Sequence, residues 1–396
     1  MTEIYTLKKE FLSKYTENQL SDFLKDFKIN INGDIEIPYE HKGYTCADKI
    51  ECFKDSKIQA ISFFSGAGGL DIGTQLAGVK VLSSLDFFED SVETLKKNTF
   101  FNDTKHLHED INNISGKNYS SLLKQNNPEK LILVGGPPCQ PFSKAGYWIT
   151  NEKRKANDDP RNMIVPYFRL IEEIKPDGFV LENVESILHP SNKPAVDTII
   201  SNIERLGYNY SLLKVNASDY GVPQKRKRVF FMASKNKINA SLTQTTSDKD
   251  VLKTARVIDW IGKFDSPDFY RNENISIEGK WENALRCVPP GKNYIALSEK
   301  AGYPNPIFVA GKRYWTSLLK LHPLLSSWTI LAGPGHWEGP FHWTNRRLSL
   351  KERAAIQTFP DDYIFHGSPN SIIKQIGNAV PPILAKQIIE ELCKWI

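Results

Sequence analysis

The stretch Ile58-Gln59-Ala60-Ile61-Ser62-Phe63-Phe64-Ser65-Gly66-Ala67-Gly68-Gly69 runs from an apolar segment into a turn rich in glycine. A short apolar run bounded by glycines predicts a buried strand, and glycine lets the backbone approach a ligand closely. The helix predicted to follow would present free N–H groups to that ligand. A second apolar run, 79–85, ends at Asp86, and a helical stretch covers 91–98. Runs at 131–134, 178–181 and 229–233 predict further buried strands, separated by helical segments. Apolar strands alternating with helices predict an α/β fold built on a parallel sheet covered on both faces. Such sheets bind ligands at the C-terminal ends of their strands, where the 64–69 turn and Asp86 both fall. At this spacing a carboxylate can accept hydrogen bonds from both hydroxyls of a ribose. The pattern alone fits any nucleotide-like cofactor, a nicotinamide included.

The chain has 396 residues, enough for a large core and two domains, with 40% hydrophobic residues and a net charge of +5. That charge permits a polyanionic partner without demanding one. There is no apolar stretch long enough to span a membrane, and the first residues lack a secretory pattern. Five cysteines (Cys46, Cys52, Cys139, Cys287 and Cys393) include no CxxC spacing, so no zinc site or disulfide framework is expected. A reducing cytoplasm is the expected compartment. Residues 12–27 carry apolar residues at helical spacing within a polar extension, 1–55, to which no chemistry is assigned.

Three segments carry candidate chemistry. Gly135-Gly136-Pro137-Pro138-Cys139-Gln140-Pro141-Phe142-Ser143 places a cysteine on a loop stiffened by proline, directly after the strand predicted at 131–134. A thiolate is the strongest side-chain nucleophile near neutral pH, although a lone cysteine is often only a small buried hydrophobe. Glu182-Asn183-Val184 follows the strand predicted at 178–181. Burial disfavours a carboxylate's charge and would suit Glu182 to donate a proton. Gln224-Lys225-Arg226-Lys227-Arg228 precedes the strand predicted at 229–233 and would otherwise pass for a solvated basic face.

These segments, in this order, resemble the motifs of the DNA (cytosine-5)-methyltransferase family. The likeness runs through 60–235 and again through 345–385. It implies a Rossmann-like S-adenosylmethionine-dependent methyltransferase sheet with a second, smaller, loop-rich target-recognition domain. Phe64, Gly66, Ala67 and Gly69 would contact S-adenosylmethionine, Asp86 would hold its ribose, and Phe87 would stack on its adenine. Asp110 and Ile111 would read the adenine edge. Pro138, Ile164, Asn378 and Val380 would complete the pocket, and S-adenosylhomocysteine would be the product, with no metal required. Where the family often has an acid two residues before its motif phenylalanine, this chain has Ser62. Cys139 would attack the base, Glu182 would act as the acid, Arg228 would hold cytosine oxygen 2, and Arg226 would support them. Residues 140–161 would form a lid closing on DNA, with Ser143, Lys144, Arg161 and Gln224 as DNA contacts.

The resemblance further implies four parts: the extension at 1–55, a catalytic and cofactor-binding domain at 56–235, a target-recognition domain at 236–345, and a segment at 346–396 that completes the catalytic domain. The expected partner is double-stranded DNA, bound by a monomer without a membrane. A bacterial or phage restriction-modification setting follows, with a cognate restriction endonuclease acting separately. Two alternatives share the fold: a tRNA cytosine-5 methyltransferase, and a non-catalytic DNA-binding regulator. The large region at 236–345 argues against the first, and the intact Cys139, Glu182 and Arg228 argue against the second.

Overall fold

The computed structural model describes residues 57–138, 163–247, 250–264 and 273–396, together with the backbone of three short strands, Glu3–Thr6, Lys28–Ile29 and Asp34–Ile37, which pair antiparallel. Seven further strands form one sheet: β1 (Ile58–Phe63), β2 (Lys80–Asp86), β3 (Lys105–His108), β4 (Lys130–Gly135), β5 (Gly178–Val184), β6 (Asn209–Asn216) and β7 (Lys227–Ser234). Their spatial order is β3-β2-β1-β4-β5-β7-β6. The pairings from β3 through β5 are all parallel, whereas β7 lies antiparallel to both β5 and β6.

The central strands are apolar throughout because helices cover both faces, and Ile61, Phe63, Leu133, Phe179, Leu181, Val229 and Phe231 all join one core. The five apolar runs read from the sequence correspond to β1, β2, β4, β5 and β7. The two edge strands, β3 and β6, are half exposed and lack apolar runs, which is why no hydrophobic signal marked them. The sheet is mostly parallel, as expected, and β7 is the exception. Its reversal has a functional consequence: β7 starts, rather than ends, at the edge of the sheet where β5 finishes.

The chain leaves β1 toward β2 and β3, then crosses back to β4 and β5 on the other side. The order therefore reverses between β1 and β4, the position at which open α/β sheets bind ligands. Helix α1 (Gly69–Leu76) follows β1 and α2 (Glu89–Lys96) follows β2. Next come α3 (Ser120–Asn126), α4 (Ile164–Ile174) and α5 (Lys193–Arg205). The chain ends in α6 (Pro369–Asn378) and α7 (Pro382–Cys393), which Pro369 and Pro382 start at positions where no N–H is needed.

The chain divides into two compact units. One comprises Asp48–Ala217, Lys227–Thr243 and Asp362–Ile396 and holds the seven-stranded sheet; the other comprises Met1–Ala47, Ser218–Arg226 and Gln244–Asp361. This division cuts the chain elsewhere than at 235 and 345: segments 218–226 and 346–361 go with the second unit. Its described part is built from short helices, single turns and isolated bridges. A small core of Leu285, Tyr294, Leu297, Phe308, Leu318 and Phe341 holds it together. Gln224–Lys225 pairs parallel with Ser327–Trp328. Helix Leu350–Ile356 begins with a reciprocal Ser349–Glu352 cap, and buried Glu352 takes Arg346 on both oxygens at 2.8 Å. Among the described residues no helix is long and apolar enough to cross a membrane.

Candidate active site

The turn after β1 is shaped by backbone geometry that most residues avoid. Phe64, Gly66 and Gly68 all have positive φ, at 56°, 52° and 79°. Ser65 N donates to Leu85 O at 3.0 Å and Gly68 N to Ser65 O at 2.9 Å, which closes the turn against the end of β2. A side chain on Gly66 would meet nothing within 4 Å, so the space before this turn is open.

Asp86, at the end of β2, is 7% exposed and accepts from Gly66 N at 2.7 Å and from Phe88 N at 2.9 Å, one amide on each oxygen. Burial raises its carboxyl above the usual range, against the pull of these amides. Each oxygen keeps a further lone pair, as a two-hydroxyl ligand would need. Phe87 is 63% exposed, a large apolar ring left open to solvent. Asp110 caps the turn at Ile111–Asn113 by accepting from Asn112 N at 2.9 Å, and Ile111 is buried. Phe64 leans on Tyr167 of α4 at 6.4 Å, and Ile164 lies in the same core. Ala67 O accepts from the buried Tyr363 hydroxyl at 2.6 Å. Gly69 packs so tightly on the Val380 carbonyl that a methyl group would not fit, which brings Val380 to the glycine turn; Asn378 is exposed. An open glycine turn, a buried carboxylate with spare lone pairs and an exposed ring together fit a nucleoside-bearing cofactor.

Beside this pocket, β4 delivers Gly135-Gly136-Pro137-Pro138 to the same edge of the sheet. A side chain on Gly136 would come within 3.0 Å of Glu182 Oε2, so the loop passes directly over that carboxylate. Asn183 is buried, and its amide reaches Pro137 O at 3.4 Å. Pro138 is exposed, and Cys139 follows it outside the described residues, as do Ser143, Lys144 and Arg161.

Glu182 meets Arg228 across the antiparallel β5–β7 pair. The register sets Phe230 opposite Glu182 and Arg228 opposite Val184, so Glu182 and Arg228 share a face as diagonal neighbours. Arg228 Nε lies 2.7 Å from Glu182 Oε1, with each side chain 13% exposed. The expectation set Arg226 in support of Glu182 and Arg228 on the base; the Glu182–Arg228 pair was not legible because strand direction, and hence register, is invisible in the sequence. Arg226, two residues earlier, is fully buried and belongs to the other unit. Gln224, expected as a DNA contact, is fully buried, its amide donating to Gln357 and accepting from Ile330 N at 3.0 Å. A buried polar side chain takes whatever partners the interior supplies, and here both ends of the amide are used.

The sequence reading passed over the polar cluster beneath the turn. Asp71 of α1 is wholly buried and accepts from Ser62 at 2.5 Å and Ser84 at 2.6 Å, while Ser65 donates to Ser62 at 2.9 Å. Ser62 and Ser84 are register partners on β1 and β2, aimed together at the helix above. An acid within an apolar helical face, opposite serines in two buried strands, was the available signal.

A profile of the family described as C-5 cytosine-specific DNA methylase matches residues 58–394. The chain is 33% identical over 372 residues to the Type II methyltransferase M.SacI of Streptomyces achromogenes, across 86% of this chain and 94% of that protein. It is 33% identical over 338 residues to the Type II methyltransferase M1.HphI of Haemophilus parahaemolyticus, across 84% and 86%. Two crystal structures share the fold. One is assigned as a DNA modification methyltransferase encoded within an E. coli prophage: TM-score 0.58, 23% identity, 85% of this chain and 99% of that one. The other is a variant of Spodoptera frugiperda DNMT2: TM-score 0.59, 17% identity, 85% and 99%. Matched by that profile along nearly the whole of its described sequence, the chain belongs to the C-5 cytosine-specific DNA methylase family and is a DNA cytosine-5 methyltransferase.

Proposed function

We propose that the protein methylates carbon 5 of one cytosine within a specific duplex DNA sequence, after flipping that base out of the helix. The pocket at Phe64, Gly66, Asp86 and Phe87 would hold S-adenosylmethionine, which supplies an electrophilic methyl group on a sulfonium centre. Cytosine carbon 5 is a poor nucleophile. Attack by the Cys139 thiolate on carbon 6 would drive an electron pair toward carbon 5, with Glu182 delivering a proton to ring nitrogen 3. Arg228 would hydrogen-bond oxygen 2, where negative charge develops. Loss of the carbon-5 proton after methylation would expel the sulfur and restore the ring.

The observation that carries this reading is the Glu182–Arg228 pair at 2.7 Å beneath the Gly136 loop. Nitrogen 3 and oxygen 2 are neighbours on the cytosine edge, so an adjacent acid and cation match them in order. A base inside a duplex could not reach such a recess, which is the reason for flipping. The unit formed by 218–226 and 244–361 would read the sequence. The Type II names of the relatives support a restriction-modification role, in which a monomer acts in the cytoplasm beside a separate cognate endonuclease. The family profile, specific to DNA, does not favour tRNA as substrate.

The test is incubation with labelled S-adenosylmethionine and mixed-sequence duplex DNA, followed by bisulfite sequencing. Methylcytosine at one recurring sequence is expected. Cys139→Ser should abolish transfer and leave cofactor binding intact; turnover persisting in this variant would remove the covalent route.

A further inference from the structure

The described part of the second unit exposes its large hydrophobic residues in one place. Nine such side chains are exposed among the described residues of the whole chain; in this unit they are Ile307, Val309, Tyr314 and Trp315, all within nine consecutive positions. Tyr314 is 72% exposed and Trp315 52%. Segment 307–315 also carries Lys312 and Arg313 and contains no acidic residue.

This segment is a held shape. Phe308 is its anchor, buried against Trp281 at 4.7 Å and Tyr294 at 5.8 Å. The Tyr294 hydroxyl accepts from Gly311 N at 3.0 Å and donates to Arg313 O at 3.1 Å. Asn293 Nδ2 donates to Trp315 O at 2.8 Å. Exposed apolar rings on an anchored backbone lose little conformational freedom on contact with a ligand, which favours a recognition role over an incidental loop.

Cations line the same surface. Arg313 lies over the rings of Trp281 and Phe308 at 5.1 and 5.2 Å, and Lys280 over Trp281 at 4.8 Å. Trp315 meets Trp328 at 5.5 Å, and Lys225 lies over Trp328 at 5.2 Å. Rings interleaved with lysine and arginine suit duplex DNA, whose base edges offer apolar contacts in the grooves and whose phosphates pair with cations. A second copy of a chain with net positive charge suits such a surface less well.

We infer that segment 307–315 is the base-reading element of the recognition unit, with Tyr314 and Trp315 touching the bases of duplex DNA and Lys312 and Arg313 facing its phosphates. This rests on the methyltransferase reading above and names the residues through which the DNA is read.

The experiment compares the full chain with Tyr314→Ala, Trp315→Ala and Lys312→Gln. Cofactor affinity, DNA affinity against salt, and the methylated sequence after bisulfite treatment are measured for each. Each aromatic truncation should weaken specific DNA binding by roughly 10- to 100-fold and relax the preference at one or two base positions, with cofactor affinity unchanged. Lys312→Gln should lower the slope of log affinity against log salt by about 1 and leave the sequence preference alone. Unchanged DNA affinity and specificity in variants that still bind cofactor would overturn the assignment. So would a loss of self-association without a change in DNA binding. Should Trp315→Ala fail to fold, Tyr314→Ala, at the more exposed ring, decides alone. Failure of the wild-type protein to methylate any duplex would count against the methyltransferase reading, separately from this one.

Discussion

Asp86 and Glu182 are both carboxylates at the ends of parallel strands, yet their partners differ in kind. Asp86 holds two backbone amides, neutral donors that leave its spare lone pairs for a ligand. Glu182 holds a guanidinium, a charged partner, at 2.7 Å. Asp86→Ala is therefore expected to weaken S-adenosylmethionine binding by roughly 2–4 kcal/mol, about 30- to 1000-fold in Kd by calorimetry. Glu182→Gln should leave that Kd alone and lower single-turnover methylation by about 10²- to 10⁴-fold. The two effects exchanged would reverse the assignments. Asp71 makes a separate prediction. Burial pushes its carboxyl up to about 6, against the pull of Ser62, Ser84 and Ser65. The folded state thus holds this proton more tightly than the unfolded chain, whose value is 3.8. The resulting stability is complete below 3.8 and is lost as pH rises through 6. Urea unfolding of wild type relative to Asp71→Asn should therefore lose on the order of 3 kcal/mol between about pH 4 and pH 7. Parallel pH profiles for the two proteins would contradict it.

Among elements, β7 does the most to assemble the site. As an antiparallel strand beside β5 it starts where β5 ends, so an arginine near its first residue meets a glutamate near the other's last. Helix α7 works by contact. Gly73 of α1 faces Ala385, with Pro382 O and Lys386 N each 2.7 Å from where a methyl group would stand. Alanine normally favours a helix over glycine by about 1 kcal/mol. Here the neighbouring atoms include backbone that cannot swing away, so packing should win. Gly73→Ala is expected to destabilise the protein by about 1–3 kcal/mol in chemical denaturation. It should also disturb the glycine turn at 64–69, because Gly69 of the same helix rests on Val380. A stabilised variant would refute this packing argument.

Across the whole molecule, the second unit draws on three stretches of chain: Met1–Ala47, Ser218–Arg226 and Gln244–Asp361. A graft of 236–345 alone would leave behind Gln224 and Gln357 while exchanging Ile330, which the same Gln224 amide holds, and would part His342 from Arg346, whose carbonyl accepts from His342 N at 2.9 Å. Exchanging 218–226 and 244–361 together with those of a relative should transfer sequence specificity with folding intact. The graft of 236–345 alone should express as unstable protein. Circular dichroism melts and bisulfite sequencing of both chimaeras would check this, and an equally stable short graft would count against the division.

Local chemistry carried much of this protein's design. Apolar runs ending in glycine mark β1, β2, β4, β5 and β7, because a strand buried on both faces has to be apolar along its length. The glycine turn, Asp86 and Glu182 could be found for the same reason: a residue at the end of such a run stands at the ligand-binding edge of the sheet. What stayed hidden depends on neighbours remote in sequence. The half-exposed edge strands β3 and β6 have no apolar signature, and the reversal of β7 leaves no local trace. The Glu182–Arg228 pair, the serines gathered on Asp71 and the burial of Gln224 are matters of register and packing. Side-chain direction alternates along a strand, so register decides which residues meet, and only the assembled sheet sets it.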